Sequence, residues 1–402
     1  MQEKLYIVGA GPGNGKLWTR QATELVQSAE RVLGTMRIAE QHPGCIGLDL
    51  PGLLKELERP ITGTTAVLVG GDCCFFSLAS RIAQEFSHLY EIERINGIGS
   101  IPYLSAQIGV SYEDARLISF HGRNNRIVPC VAYNKKIFAL TGGTFKVHDL
   151  CRELAASGLA GVKVVVGARL SYPDEKIMYG TPAMLKNAVF DELSVMYVEN
   201  EQAIDPRSPL RDSEFIRSEN DTFQVPMTKE DVRWLTLQKL AISPKDILYD
   251  IGAGTGSVAV EMARRAFEGI VYAVEQHSGA CELIAKNRVK HGAYNVNIVQ
   301  AKAPEGLERL PQPDAVFIGG SSGEAESLLN VLLEKNPKVR IVANAVTLQS
   351  LHRILEAFRK FGPGEVETTC INVAKSKKVG AYDFMTAQNP VYILCRTPFR
   401  ES

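Results

Sequence analysis

The sequence predicts an α/β protein that carries two separate ligand-binding modules. Three observations support this. Short β-branched runs alternate with stretches whose apolar residues recur at helical spacing. Two glycine-rich turns stand directly behind strand-like runs, at Leu5-Tyr6-Ile7-Val8-Gly9-Ala10-Gly11-Pro12-Gly13 and at Ile247-Leu248-Tyr249-Asp250-Ile251-Gly252-Ala253-Gly254-Thr255-Gly256. Between the modules, residues 199–225 lose periodicity and gain Pro, Ser and charge, which reads as a linker or an irregular crossing segment.

In chain order, the first module has strand candidates at Tyr6–Val8, Thr65–Val69, Glu91–Ile95, Leu117–Ser119, Ile137–Leu140, Val162–Val166 and Ser194–Val198. Amphipathic stretches at Thr19–Ser28, Ser77–Phe86 and His148–Ser157 fall between them. A helix then begins near Thr228, whose hydroxyl is expected to cap it, with Asp231 completing a capping box. Further strands follow at Ile247–Ile251, Gly269–Val274, Val296–Gln300, Ala315–Ile318 and Val339–Ala343, with a helix at Val258–Ala266. The late strands Glu367–Val373 and Val391–Arg396 have no glycine turn feeding a helix between them, so an antiparallel edge is expected there. The expected organisation is a first domain at 1–200, a linker at 201–225 and a second domain at 226–402.

Composition narrows the function classes. A chain of 402 residues exceeds one ordinary core. Lys+Arg and Asp+Glu both total 45, so no net field draws the protein to nucleic acid or to an anionic membrane. No segment approaches the roughly 20 apolar residues that span a bilayer. The first residues lead straight into a strand without a basic, then apolar, leader pattern. Eight cysteines stand at scattered positions without CxxC or Cys/His ligand spacing, so neither a metal site nor a disulfide framework is expected. The adjacent Cys73 and Cys74 are expected to be small buried hydrophobes, and a reducing cytoplasm is the expected home.

The second glycine turn departs from a dinucleotide fingerprint. That pattern wants G-x-G-x-x-G, whereas Gly252, Gly254 and Gly256 read G-x-G-x-G with Ser257 in the sixth slot. The tighter spacing suits a ligand without a pyrophosphate. The next strand ends in Glu275, where a carboxylate can accept both hydroxyls of a ribose. A glycine loop for an amino-acid moiety with an acid for a ribose describes S-adenosylmethionine in a Rossmann-like methyltransferase. A turn that merely packs strand on helix, and an NAD site, are the competing readings.

Further strings make the likeness specific. They are Met227-Thr228-Lys229-Glu230-Asp231-Val232-Arg233, Ala303-Pro304-Glu305-Gly306-Leu307, Pro313-Asp314-Ala315-Val316-Phe317-Ile318-Gly319-Gly320-Ser321 and Asn389-Pro390-Val391. With them, residues 227–402 resemble the decarboxylating carbon-15 methyltransferase family of the corrin pathway. The resemblance implies cofactor contacts at Thr228, Asp250, Gly252, Ala253, Gly254, Thr255, Gly256, Glu275 and Ala303. It implies a tetrapyrrole near Gly319, Gly320 and the basic stretch containing Lys377. Where the family often reads Gly-Asp-Ala-Pro, this chain has Ala301-Lys302-Ala303-Pro304, so an acid that would face the adenine is missing.

The first turn also fails the dinucleotide test, because Asn14 occupies the sixth position. Pro12 fixes its own φ and removes a donor, which suits a cavity wall better than a phosphate cradle. Val67-Leu68-Val69-Gly70-Gly71-Asp72 and Asn96-Gly97-Ile98-Gly99-Ser100 place more glycines at strand ends. Together with Ser119-Phe120-His121-Gly122-Arg123, Leu140-Thr141-Gly142-Gly143 and Gly167-Ala168-Arg169-Leu170-Ser171-Tyr172-Pro173-Asp174-Glu175, these strings resemble the tetrapyrrole methylase family, in its carbon-5 branch. The resemblance implies a two-lobed fold with S-adenosylmethionine between the lobes. The implied contacts are Gly70, Gly71, Asp72, Gly99, Ser100, Leu140 and Ala168, mostly through backbone, with Pro12 lining the macrocycle trough. Two strings depart from the family: Cys73-Cys74 follows Asp72 where Pro-x is usual, and Gly99 stands where Ser is usual. His121 and Arg123 invite a catalytic role; alternatively His121 caps a turn while Arg123 and Arg126 hold substrate carboxylates.

The resemblance covers nearly the whole chain and implies an N-terminal tetrapyrrole methylase fold fused to a C-terminal Rossmann-like class I methyltransferase fold. The activity it implies is S-adenosylmethionine-dependent methylation of carbons 5 and 15 of precorrin-6B, or its cobalt counterpart, with decarboxylation of the ring-C acetate. Two cofactor sites per chain, a tetrapyrrole substrate and a homo-oligomer follow from it. Methylation of another tetrapyrrole, or one half kept only as a binding module, are the alternatives.

Overall fold

The structure, a computed structural model, describes residues 3–61, 63–120, 125–143, 145–192, 194–218, 225–319, 324–361 and 365–397. The chain divides into two units, the first comprising 1–125, 136–155 and 160–200; the segments 126–135 and 156–159 pack with the second.

The first unit has two lobes. In the first lobe β1 (Glu3–Gly9), β2 (Arg31–Thr35), β3 (Ile46–Leu48), β4 (Thr65–Val69) and β5 (Tyr90–Ile95) form a parallel sheet in the order β3-β2-β4-β1-β5. The helices between them are α1 (Arg20–Ser28), α2 (Met36–Ala39), α3 (Leu50–Leu57) and α4 (Leu78–Phe86). Both sheet faces are covered. Leu5, Ile7, Val67 and Val69 enter one core, and Val8, Ala66 and Leu68 enter the other, which is why these strands read as continuous apolar runs.

Helix α5 (Ser100–Ile108) then leads into the second lobe. That lobe holds β6 (Arg116–Ser119), β7 (Lys136–Thr141), β8 (Lys163–Ala168), β9 (Lys176–Gly180) and β10 (Ser194–Glu199), in the order β6-β7-β10-β8-β9. Only β6 and β7 pair in parallel in this sheet. Its helices are α7 (Val147–Ala156) and α8 (Pro182–Leu185), while α6 (Ile127–Tyr133) lies in the segment that packs with the second unit. Ile101 and Leu104 of α5 pack against Phe138, Val165 and Tyr197, so the helix that starts at the first sheet is buried on the second.

The second unit takes in the chain from Glu201 onward; its first α-helix there is α9 (Glu230–Leu240), and it is built on one seven-stranded sheet. Its strands are β11 (Ile247–Ile251), β12 (Ile270–Glu275), β13 (Val296–Gln300), β14 (Ala315–Ile318), β15 (Arg340–Ala345), β16 (Glu365–Ile371) and β19 (Val391–Thr397). Helices α10 (Ser257–Arg265), α11 (Ser278–Lys290), α12 (Ala325–Lys335) and α13 (Leu348–Lys360) connect them. The order is β13-β12-β11-β14-β15-β19-β16, parallel through β15 and antiparallel thereafter. This is a doubly wound sheet whose order reverses at β11, the place where such folds bind ligands. A two-stranded hairpin of β17 (Ala374–Val379) and β18 (Tyr382–Ala387) stands apart from the sheet.

Two local expectations are corrected. Thr228 does not cap α9: the helix starts at Glu230 after Lys229, with no side-chain cap. Acidic Glu230 and Asp231 in the first turn complement the helix dipole instead, and both pair with Lys375 at 2.6 and 2.7 Å. Cys73 is buried with its thiol against the Ile7 and Ile95 carbonyls, whereas Cys74 is exposed, because the turn that Asp72 closes onto the Cys74 amide points the second side chain outward.

The aperiodic stretch is held by buried polar side chains of the second unit. Arg233, fully buried, donates to the Leu210 carbonyl at 2.8 Å, to Asp212 at 3.0 Å and to the Thr228 carbonyl at 2.7 Å. Arg264 donates to the carbonyls of Asp205 and Ser208 at 2.9 and 2.8 Å, and Glu261 accepts the Leu210 amide at 3.0 Å. Backbone without secondary structure needs such partners once it is covered. Among the described residues no helix is long and apolar enough to cross a membrane.

Candidate functional site

In the second unit the glycine turn leaves β11 at the carboxyl edge of the sheet. Gly252, Gly254 and Gly256 all adopt left-handed backbone, with φ of 73°, 55° and 77°. Gly254 is also sterically committed, since a Cβ there would lie 2.6 Å from the Pro226 carbonyl oxygen. The Gly252 and Ala253 amides donate to the Val274 carbonyl at 2.9 and 3.2 Å, which docks the turn on the end of β12. Helix α10 starts at once, with Gly256 as its N-cap. Backbone N–H groups at a helix N-terminus are therefore presented beside the turn.

Glu275 ends β12 facing this turn. Its carboxylate accepts the Gly254 amide and the His277 amide, each at 3.0 Å, and the residue is buried. A carboxylate has about four acceptor positions, so capacity remains for a ligand's hydroxyls. Gly252, Gly254, Glu275, Ala303 and Gly319 line a single cavity of about 520 Å³. Ile251, Val274, Ala280 and Leu328 supply apolar walls. A cavity of several hundred Å³ with mostly apolar walls and a few fixed polar groups suits a nucleoside-sized ligand.

The rest of the turn lies behind that surface. Asp250 is fully buried, and neither of its carboxyl oxygens completes a hydrogen bond. Burial pushes its pKa up to about 7, the nearby Ala259 amide lowers it and the Glu275 charge adds to the rise. The Thr255 hydroxyl is likewise buried without a partner. Neither Asp250 nor Thr255 lines the cavity, so the polar group that faces a ligand there is Glu275, whose free acceptor capacity fits a ligand that brings hydroxyl donors. Ala253 is buried in the core under α10. Thr228 does not line the cavity; its carbonyl is held by Arg233 at 2.7 Å. Lys377 is exposed on β17 and does not line the cavity. Gly320 lies outside the described residues.

In the first unit three turns converge at the carboxyl edge of the parallel sheet. The Gly71 amide donates to the Gly11 carbonyl at 2.8 Å, and the Gly11 amide returns a bond to Gly71 at 3.3 Å. The Asn96-Gly97 turn packs against both: a Cβ on Gly97 would lie 2.3 Å from the Gly9 oxygen and 2.6 Å from the Gly71 oxygen. The structure thus brings Pro12, Gly70, Gly71, Asp72, Gly99 and Ser100 to the ends of β1, β4 and β5. The Asp72 carboxylate accepts the Cys74 amide and closes its own turn. Gly99 is the N-cap of α5, and Ser100 is its first residue.

Leu140 and Ala168 sit at one end of the second sheet, on strands that flank β10: Leu140 pairs with Val195 and Ala168 with Ser194. The following loop reaches the first lobe. The Ser171 hydroxyl accepts the Asn14 amide at 3.0 Å, and the Tyr172 ring lies directly over Gly13. Arg169 and Ser171 both have positive φ, at 49° and 67°, in this loop. Backbone held in such conformations concentrates at ligand clamps. Arg169 bonds Asp174 at 2.6 Å and stacks on Tyr172 at 4.7 Å. His121 and Arg123 lie outside the described residues.

Some contributors were not expected from sequence. Val225, the last residue of the aperiodic stretch, and Pro226 just after it form one cavity wall, and Glu324 with Leu328 forms another. Asn287 on α11 is fully buried, donates to the Thr255 carbonyl at 2.9 Å and clasps Ile216 through both its amide and its carbonyl. A polar residue at an inward helical position is the one sequence signal that marks Asn287.

Comparison with known proteins fits this architecture. Residues 55–185 match the family described as Tetrapyrrole (Corrin/Porphyrin) Methylases, and residues 220–397 match the family described as Precorrin methyltransferase domain. A precorrin-6Y C(5,15)-methyltransferase (decarboxylating) of Sinorhizobium sp is 28% identical over 400 residues, covering 96% of this chain and 94% of that protein. A probable cobalt-precorrin-6B C(15)-methyltransferase (decarboxylating) of Pyrobaculum calidifontis is 44% identical over 172 residues, covering 42% of this chain and 88% of that protein. A crystal structure of a precorrin-6Y C5,15-methyltransferase from Geobacter metallireducens GS-15 is 38% identical and covers 48% of this chain and 96% of that one, with a TM-score of 0.44. With both family matches in this order and a relative spanning both halves, the chain belongs to the decarboxylating precorrin-6Y C5,15-methyltransferase family, S-adenosylmethionine-dependent C-methyltransferases of cobalamin biosynthesis.

Proposed function

We propose that this chain methylates carbons 5 and 15 of precorrin-6B, or its cobalt counterpart, with one S-adenosylmethionine site in each unit. The first unit serves carbon 5, and the second serves carbon 15 together with loss of the ring-C acetate carboxyl. The observation that carries the reading is the cavity of the second unit, where the left-handed glycine turn and the Glu275 carboxylate face the same space.

S-adenosylmethionine supplies an electrophilic methyl on a sulfonium. Glu275 is suited to hold ribose hydroxyls, and the amides that open α10 are suited to the amino-acid end. Ile251, Val274 and Leu328 give the cavity apolar walls against which the donor can pack. The methyl–sulfur bond breaks as a methyl–carbon bond forms on a nucleophilic ring carbon, a reaction that needs alignment more than acid or base. Alignment of this kind can supply roughly 7–11 kcal/mol. On decarboxylation the C–C electron pair passes into the conjugated ring, and a proton replaces the departing carbon dioxide. In the first unit the convergent turns at Gly11, Gly71, Gly97 and Gly99 support a backbone-lined cofactor site, with Pro12 at the macrocycle trough.

A cytoplasmic homo-oligomer completes the proposal. The hairpin of β17 and β18, with Tyr382 73% and Met385 68% exposed, supports self-association. Light scattering of the intact chain tests it, a monomer being the adverse result. The central test is equilibrium dialysis with S-adenosylmethionine followed by turnover on a precorrin panel. Two donors per polypeptide, two added methyls and one lost carbon dioxide are expected. A single donor per well-folded chain overturns the two-site reading.

A further inference from the structure

Arg37 stands on α2, just past the end of β2, and its side chain reaches over the neighbouring strand end. A Cβ built on Gly70 would lie 3.5 Å from Arg37 Nη2, so the guanidinium sits beside the glycine that closes β4. The sheet order makes this neighbourhood continuous. β2 lies next to β4, and β4 next to β1. Arg37, Gly70, Gly71, Gly11 and Pro12 therefore follow one another along the carboxyl edge, the edge where parallel α/β sheets receive ligands.

Arg37 differs from other arginines of its unit. Arg20, Arg81, Arg152 and Arg169 each hold a carboxylate at 2.6–2.7 Å. Among the described residues Arg37 has no such partner, and it is exposed. A planar guanidinium with free forked donors, placed at a ligand-receiving edge, is matched by a carboxylate. Salt bridges between exposed groups are worth little, but a guanidinium covered by a bound ligand gains a desolvated, bidentate pair.

We propose that Arg37 binds a ligand carboxylate at the first unit's site. The inference rests on the carbon-5 reading above and adds a residue to it. Two carboxylates of the same chemistry are available there, an acetate or propionate arm of the macrocycle and the donor's own amino-acid carboxylate.

The test uses the full chain and separates the two sources. The protein has two tryptophans, and Trp18 lies in the first unit with its indole N–H on the Ala10 carbonyl at 2.9 Å, beneath the glycine turn. In a Trp234→Phe background, quenching of Trp18 reports a tetrapyrrole polycarboxylate such as uroporphyrin III at this site. Calorimetry with S-adenosylhomocysteine reports the donor. If Arg37 holds a macrocycle arm, Arg37→Ala weakens uroporphyrin binding about tenfold, and Arg37→Lys, which keeps charge but loses the fork, recovers part of it. Donor affinity is then unchanged. If it holds the donor's carboxylate, one of the two donor sites weakens by a similar factor and uroporphyrin affinity is unchanged. Unaltered affinity for both ligands, in a variant that melts like the parent, overturns the proposal. Failure of the carbon-5 reading shows up separately, as Arg37-dependent binding without methyl transfer to carbon 5.

Discussion

The Glu275 carboxylate accepts the Gly254 amide at 3.0 Å, so the acid that ends one strand is bonded to the glycine turn that ends its neighbour. The same carboxylate accepts the His277 amide. Its orientation is thus set by the protein before any ligand arrives, and preorganisation of this kind lowers the cost of binding. Glu275→Ala is expected to lose S-adenosylhomocysteine affinity at the second unit by about 1–3 kcal/mol, the cost of unpaired buried polar groups. Calorimetry on the intact chain checks this, with the first unit's site as an internal reference. Equal weakening of both sites contradicts separate pockets.

Asn287 couples the same turn to residues far upstream. It donates to Thr255 and to Ile216 at 2.9 and 3.0 Å, and accepts the Ile216 amide at 2.8 Å. Asn287→Ala strands three buried backbone groups, a loss of about 1–3 kcal/mol for each group left without water. A lower melting temperature for the second unit and faster proteolysis between residues 205 and 218 are expected. Asn287→Asp keeps the acceptor, so an intermediate melting temperature is expected. Parent-like protease resistance in Asn287→Ala removes the clasp.

These two sites also show what a sequence can disclose. Thr65–Val69, Ile247–Ile251 and Ala315–Ile318 begin and end where the apolar pattern puts them, because strands covered on both faces leave continuous runs. β2 contains Gly34 and β3 spans three residues, too little pattern to register. The β17–β18 hairpin, exposed along most of its length, carries no inside–outside alternation. The glycine turn and Glu275 are legible since each is a local motif with a chemical purpose. Pro226, Glu324 and Leu328 are not, because they reach the cavity by tertiary folding from segments with no motif of their own. The stretch after Asn200 lacks periodicity for a related reason: its order comes from Arg233, Arg264 and Asn287, whose partners are backbone groups that any sequence offers.

Asp250 gives the second unit a characteristic pH response. Its folded pKa is raised to about 7 by burial, helped by Glu275, while an unfolded chain ionises it in the ordinary carboxylate range. Between those two values the folded state keeps a proton that the unfolded state has released. Stability therefore falls as pH rises through that window and levels off above about 7, with a limiting slope near 1.4 kcal/mol per pH unit for one proton. Asp250→Asn removes the titrating group without changing its shape. The difference in unfolding free energy between variant and parent is expected to grow in favour of the variant from pH 5 to 7, followed by denaturant titration at each pH. A constant difference across that range shows that Asp250 is not proton-linked to folding.

Gly97 and Gly15 offer a paired test of the convergent turns in the first unit. At Gly97 an added methyl would meet the backbone oxygens of both Gly9 and Gly71, neither of which can rotate away. At Gly15 it would meet nothing within 4 Å, and that residue opens a short helical turn with ordinary backbone angles. Gly97→Ala is therefore expected to force the β1, β4 and β5 turns apart, costing at least about 1–3 kcal/mol as overpacked sites do. Because those turns carry the candidate donor contacts, methylation at carbon 5 should drop along with stability while methylation at carbon 15 persists. Gly15→Ala should change neither. A Gly97→Ala protein with normal melting and normal carbon-5 turnover means that the turns do not need this close approach, and the backbone-lined site built on it fails.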